Sequence, residues 1–251
     1  MTDRRDDTAL TDLVLEDRLR GYAEPTDARP PQLVGDVAYV AHETPVGRLQ
    51  LYDKPGSLKD RTLRLAIQLA DGRELRLREF GTRQSAWAKL LRAADLEAEP
   101  NVAKLGPEAW PDPPPLEDLL DDARPLHSML RDQRVLAGIG RSWADEILHT
   151  ARLSPFKTAA KLSDDEVHRL YRAVVDVLTE ALGRSAGLPA SGLKAEKKEG
   201  LRVHGRTGQP CPVCGDTVRE VSFATKSLQY CPTCQTGGKP LADRRLSRLL
   251  K

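Results

Sequence analysis

Cys211-Pro-Val-Cys214-Gly-Asp-Thr-Val-Arg-Glu-Val-Ser-Phe-Ala-Thr-Lys-Ser-Leu-Gln-Tyr-Cys231-Pro-Thr-Cys234 holds all four cysteines of the 251-residue chain. Its spacing is C-x2-C-x16-C-x2-C, within the window for a tetrahedral four-thiolate zinc site. Each C-x2-C pair makes a tight knuckle whose two sulfurs converge on one ion. Between the pairs, Thr217–Phe223 and Ser227–Tyr230 alternate in the manner of strands, with Ala224-Thr225-Lys226 as the turn. A β-hairpin between two knuckles is a zinc-ribbon-like finger. Two disulfides, or a redox pair, are the alternative use of the same residues. The absence of cysteine elsewhere and of an N-terminal apolar signal segment favours zinc. Four thiolates close the coordination shell, so one structural ion, held by Cys211, Cys214, Cys231 and Cys234, is expected.

Outward from the finger, charge is unevenly distributed. From Lys194 to Lys251 there are six Lys and six Arg against five acidic residues, a net of +7. The whole chain carries +2, which leaves −5 on residues 1–193. An acidic body with a basic C-terminal quarter suits a nucleic-acid binder, although a solvated basic tail has the same arithmetic. Hydrophobic residues make up 39% and charged residues 30%, enough for a real core. No apolar run approaches the ~20 residues that span a bilayer. The expectation is a cytoplasmic, monomeric protein with no membrane partner.

The organisation reads as α+β. Leu10, Leu13, Leu15 and Leu19 suggest an amphipathic helix within 1–24, ended by Glu24-Pro25 and Pro30-Pro31. Strands are expected at Val37–His42 and Arg48–Tyr52. Leu63, Leu65, Ile67 and Leu69 alternate up to an Asp71-Gly72 turn, after which Leu75 and Leu77 resume. Ser85–Ala94 reads as a helix, and Pro111-Asp112-Pro113-Pro114-Pro115 as a linker. Helices are then expected over 116–123, 125–135, 142–152 and 163–182. The last opens on the capping box Ser163-Asp164-Asp165-Glu166 and stops at Gly183. These elements imply three parts: a β-rich 1–110, a helical 116–200, and a finger with basic tail over 201–251.

One turn carries chemistry. Gly138-Ile139-Gly140 stands directly before a helix opening at Arg141-Ser142-Trp143. Glycine lets the backbone approach a partner closely, and free N–H groups at a helix start attract phosphate. A tight helix–helix turn also wants glycine, so both readings stand.

In order along the chain, several runs resemble the formamidopyrimidine-DNA glycosylase and endonuclease VIII family. They are Leu105-Gly106-Pro107-Glu108, Leu130 to Gly140, Asp145-Glu146-Ile147-Leu148, Leu153-Ser154-Pro155-Phe156, Val203 to Cys211, and Gln229 to Gln235. The likeness is specific over about 105–235, weaker over 60–95, and does not reach the first 50 residues. It implies a helix–two-turn–helix element, a C-terminal zinc finger, and base-excision repair of damaged or abasic double-stranded DNA by glycosylase and lyase chemistry. Phosphate contacts would fall on Gly138, Gly140 and Arg141, on Lys226 where the family has Arg at the hairpin tip, and on His204 and Arg206 before the finger. Lys226 keeps the charge but loses the bidentate fork. Arg141 stands where the family commonly has Asn, and His204 where it often has Tyr.

The opening departs from the family. Its nucleophile is an N-terminal Pro amine followed by Glu, whereas this chain begins Met1-Thr2-Asp3. The N-terminal catalytic region is thus expected to be atypical, truncated or wrongly started. Removal of Met1 would expose a primary amine on Thr2 with the Asp3 carboxylate beside it; a flexible charged tail is the blander reading. Lys54 and Lys59 are loop lysines that could approach a sugar or simply be solvated. Phe80 is a candidate wedge into the base stack or a core residue. His127, His149 and His168 read as packing or surface residues of helices, and His42 has no evident partner. Two alternatives to the repair enzyme remain: a non-catalytic zinc-finger DNA-binding relative without the Pro amine, and a zinc-stabilised protein-interaction module.

Overall fold

The computed structural model describes residues 13–16, 32–33, 37–42, 47–80, 86–119, 123–186, 199–223 and 226–242. They fall into two compact units, Met1–Ala103 and Lys104–Lys251.

The first unit is β-rich. Its five-stranded antiparallel sheet has the order β2-β1-β5-β6-β4, from β1 (Leu13–Glu16), β2 (Gln32–Leu33), β4 (Gly47–Tyr52), β5 (Leu63–Gln68) and β6 (Glu74–Glu79). A separate pair joins β3 (Val37–His42) to β7 (Trp87–Arg92). The hairpin β5–β6 forms where alternation places it, with Leu65 opposite Leu77 and Ile67 opposite Leu75. Gly72 takes φ +86° in the turn, which side chains with a Cβ rarely adopt. Leu65, Ile67 and Leu77 form the core, with Leu69, Leu75, Ala86 and Ala88 packed on it. On the opposite face of β6, Glu74 and Arg76 are buried as an ion pair, and the Gly56 N–H also donates to Glu74 Oε1 at 3.3 Å.

Where the residues are described, the helices expected within 1–24 and over 85–94 are strands at 13–16 and 87–92. Leu13 and Leu15 lie in β1, where an i, i+2 spacing serves a sheet as well as a helical stripe does. The Ala/Lys/Leu-rich 87–92 segment pairs along its whole length with β3, so strand partners override its helical propensity.

The second unit is built around α2 (Arg141–Thr150) and α3 (Asp164–Ser185), with a short α1 (Leu126–Met129). Leu126, Met129, Leu130, Leu136, Ile139, Ile147, Leu148, Leu170 and Val174 are buried in one core. The segment expected over 125–135 is helical for one turn only. Asp132 ends it by competing for the chain: its Oδ1 accepts the Arg134 N–H at 3.1 Å, and its Oδ2 accepts Arg124 Nη1 at 2.8 Å. The segment expected over 116–123 is a single 3-10 turn, Leu116–Leu119, in the described residues. The helix α3 starts on its capping box, where the Ser163 N–H donates to Glu166 Oε2 at 3.0 Å. It runs past Gly183 to Ser185, since one glycine in a last turn costs only about 1 kcal/mol.

The proline-rich 111–115 segment is packed and is not a free linker. Trp110 Nε1 donates to Thr179 Oγ1 at 2.9 Å, and Pro113 and Leu116 are buried. The preceding residues are strapped to the loop before α2 by Ala109 N–H to Ala137 O at 2.9 Å and Ala137 N–H to Pro107 O at 2.8 Å. The finger hairpin pairs β8 (Arg219–Phe223) with β9 (Lys226–Tyr230), and a one-turn α4 (Pro232–Thr236) closes it. Among the described residues no helix is long and apolar enough to cross a membrane.

Ile147 is fully buried at the centre of this core. Ile147→Ala is expected to cost about 2–5 kcal/mol, read by urea denaturation of the whole chain.

Candidate nucleic-acid interface and metal centre

Six consecutive residues of α2, Ala144 to His149, are buried. Ala144, Ile147 and Leu148 face the apolar core, and the polar three serve other neighbours. Glu146 accepts three backbone N–H groups: Arg202 on Oε2 at 2.8 Å, and Val203 and His204 on Oε1 at 2.9 and 2.8 Å. Asp145 Oδ2 accepts the Gln229 N–H of β9 at 3.3 Å and lies 2.6 Å from His204 Nδ1. His127 Nε2 stands 3.1 Å from Asp145 Oδ1 but off the line a hydrogen bond needs. Gln235 of α4 completes the join, donating to Leu153 O at 3.0 Å while accepting the Cys231 N–H at 2.9 Å. The approach to the finger, its second strand and its last knuckle are thus all anchored on α2 and the turn after it.

At the other end of α2 the turn is equally determined. Gly138 has φ +96°, so a side chain there would be strained. Gln133 brackets the turn: its Oε1 accepts the Gly138 N–H at 2.9 Å, and its Nε2 donates to Ile139 O at 2.9 Å. Gly140 is the N-cap residue, with no side chain capping it. The first turn of α2 holds no acidic residue. Arg141 follows with its Nε buried and, among the described residues, unbonded. Arg131 lies near enough that burial first, and Arg141 second, pull its guanidinium below the usual range. A recess of about 280 Å³ beside it is lined by His127, Ser128, Arg131, Phe156 and Ser227. A helix start without a side-chain cap, next to two crowded guanidinium groups, makes an anion-binding arrangement.

The sulfurs gather as the spacing requires. Cys214 Sγ is 3.4 Å from Cys231 Sγ, and Cys211 Sγ is 3.9 Å from Cys234 Sγ. Burial pushes the Cys231 thiol up to about 11 and Cys234 also upward, whereas the Asp216 backbone N–H draws Cys214 down. Thiolates in such a place call for a neutralising cation, and the sulfur donor set fits zinc. His149, expected as a packing or surface residue, is buried, with Nε2 3.3 Å from Cys211 Sγ.

The other expected site residues are dispersed. Arg206 spends its guanidinium on Gln209 Oε1 at 3.1 Å and Leu201 O at 3.2 Å, bracing its own loop. Lys226 lies at the start of β9, opposite Phe223. Thr2 and Asp3 fall outside the described residues. Lys54 and Lys59 are exposed in the β4–β5 loop. Phe80 is 53% exposed under the Arg78 guanidinium, which excludes a core role. Sequence reasoning assigned no role to Arg131 or Gln133. Gln133 lay in a quoted motif, but only the folded turn shows both ends of its amide in use.

Glu146→Ala would strand three N–H groups. The expected outcome is a loss of about 3–5 kcal/mol, with faster hydrogen exchange at Val203 and His204 than at Leu170.

Residues 108–190 match the formamidopyrimidine-DNA glycosylase H2TH domain, and residues 208–237 the zinc finger found in FPG and IleRS. An uncharacterized formamidopyrimidine-DNA glycosylase-like protein of Mycobacterium tuberculosis is 64% identical over 126 residues, half of this chain and 80% of that one. The formamidopyrimidine-DNA glycosylase of Thermus thermophilus is 37% identical over 221 residues, covering 82% of this chain and 78% of that one. Lactococcus lactis Fpg, solved with DNA containing an abasic site, shares the fold with TM-score 0.69 at 22% identity, over 82% of this chain and 78% of that one. On the extent of the Thermus match, with both domain matches in order, the chain belongs to the formamidopyrimidine-DNA glycosylase family.

Proposed function

We propose that this protein is a DNA base-excision repair enzyme that binds damaged or abasic duplex DNA, extrudes the lesion, and acts as glycosylase and abasic-site lyase. The observation that carries the reading is the uncapped start of α2 behind Gly138 and Gly140, with Arg131 and Arg141 beside it. That arrangement suits a backbone phosphate. The names of the relatives and the abasic-site DNA bound by the Lactococcus protein support the same substrate class. Residues 116–200 and 201–251 form the DNA-binding half in this reading, with residues 1–110 as the catalytic half. One structural zinc on the four cysteines holds the finger, whose Lys226 meets a second phosphate. His204 contributes through the ring nitrogen that Asp145 leaves free.

The chemistry requires the nucleotide outside the stack, because an amine cannot reach C1′ in a paired duplex. There the amine lone pair bonds to C1′ as the bond from C1′ to the base breaks, and the base leaves with a proton. The C1′–O4′ bond then opens, O4′ takes up a proton, and the nitrogen lone pair closes the C1′=N Schiff base, which acidifies C2′–H. Loss of that proton expels the 3′ phosphate by β-elimination. The candidate amines are the Thr2 amine, with Asp3 as its proton acceptor, and Lys54 or Lys59.

Borohydride trapping on a duplex with one abasic site is expected to give a covalent adduct, and peptide mapping then names the amine. No adduct alongside tight binding to the same duplex would reduce the protein to recognition without chemistry. Arg141→Ala and Lys226→Ala are each expected to lower the salt-dependence slope of binding by about one. An unchanged slope would remove that residue from the phosphate contacts.

A further inference from the structure

His149 is the residue at the metal cluster that the four-cysteine reading does not use. It lies one turn beyond Asp145 on α2, and its residue surface is 3% exposed. The ligand atoms of His149, Cys211, Cys231 and Cys234 all lie within 4.8 Å of one another. Distance alone allows two roles: Nε2 could bind the metal in place of a sulfur, or Nε2–H could donate to the Cys211 sulfur at 3.3 Å.

The opposite ring nitrogen separates them. A neutral imidazole has one N–H and one bare nitrogen. Ligation through Nε2 would move the proton to Nδ1, and metal-bound histidines donate that proton to a carbonyl, carboxylate or water. His149 Nδ1 is buried with no hydrogen-bond partner among the described residues. An orphaned buried donor is rarer in proteins than an under-used acceptor. The proton therefore belongs on Nε2, the nitrogen that faces sulfur. Cys214, 3.4 Å from Cys231, already supplies a fourth sulfur.

We infer that His149 is a positioning residue of the zinc site, donating Nε2–H to the Cys211 thiolate without ligating the ion. Four thiolates around a divalent cation leave a net charge of about −2 at the site, and a donor on one sulfur disperses part of it. The bond also ties the C-terminal half of α2 to the first knuckle. Asp145, Glu146 and Gln235 tie the rest of the finger region to the same helix and the turn after it. The inference rests on the four-cysteine zinc reading.

The test uses the full-length protein, its His149→Leu variant, which removes the donor, and His149→Gln, which keeps an N–H on a similar arm. Zinc affinity is measured by chelator competition, and the coordination sphere by Co(II) absorption. His149→Leu is expected to bind zinc about 10- to 100-fold more weakly. His149→Gln should regain part of that loss, and all three proteins should keep a four-thiolate Co(II) spectrum. A folded His149→Leu protein with unchanged zinc affinity would overturn the inference. So would a wild-type spectrum of three thiolates and one imidazole. Imidazole ¹H–¹⁵N NMR of the wild type covers the case in which His149→Leu fails to fold: a proton on Nε2 supports the assignment, and a proton on Nδ1 overturns it. Wild-type protein that takes up no zinc would overturn the underlying metal reading as well, so the two failures are distinguishable.

Discussion

Two adjacent carboxylates in the middle of a buried helix constrain the second unit of this protein. Asp145 is fully buried and Glu146 is 3% exposed, and carboxyl groups in such positions are costly unless hydrogen-bonded. Glu146 offsets the cost by drawing the 202–204 backbone onto α2, and Asp145 by holding His204 and the Gln229 N–H near the end of β9 on Oδ2, with His127 near Oδ1. The finger is therefore fixed to a helix whose other end forms the turn proposed to receive phosphate. A helix is stiff along its axis, so about ten residues of α2 hold the finger and that turn at a set separation.

The same economy governs the loop before α2. Gln133 uses both ends of its amide on Gly138 and Ile139, and the Pro107–Ala109 strap supports the loop from the other side. The start of α2 carries neither a capping side chain nor a first-turn carboxylate. Arg131 and Arg141 crowd their charges beside it. A helix start of that kind next to two cations suits a ligand that is an anion.

Much of this was legible in the residues. The β5–β6 hairpin follows from strict alternation around Asp71-Gly72, α3 from its capping box, and the sulfur cluster from its spacing. Local patterns failed where distant partners decide. The 87–92 segment looks helical until β3 lies beside it, and the prolines at 111–115 look like a linker until Trp110 and Leu116 are seen packed. Asp132 looks like a helical residue, yet its side chain ends the helix by bonding Arg124 and the Arg134 backbone. Within the site, motif positions such as Gly138 and the cysteines could be read directly. Arg131, Gln133 and His149 could not, because each acts on a group that folding brings to it, and His149 is 62 positions away from Cys211.

In the proposed function the zinc hairpin and the turn at Gly138–Gly140 act on DNA as one surface, because both are held by α2. Binding to a duplex with one abasic site, compared between the zinc-loaded protein and protein whose demetallation has been verified, tests this most directly. The account predicts that metal removal releases the 203–235 region and abolishes binding at near-physiological salt. Undiminished affinity after demetallation would contradict it, since the turn would then bind DNA without the finger.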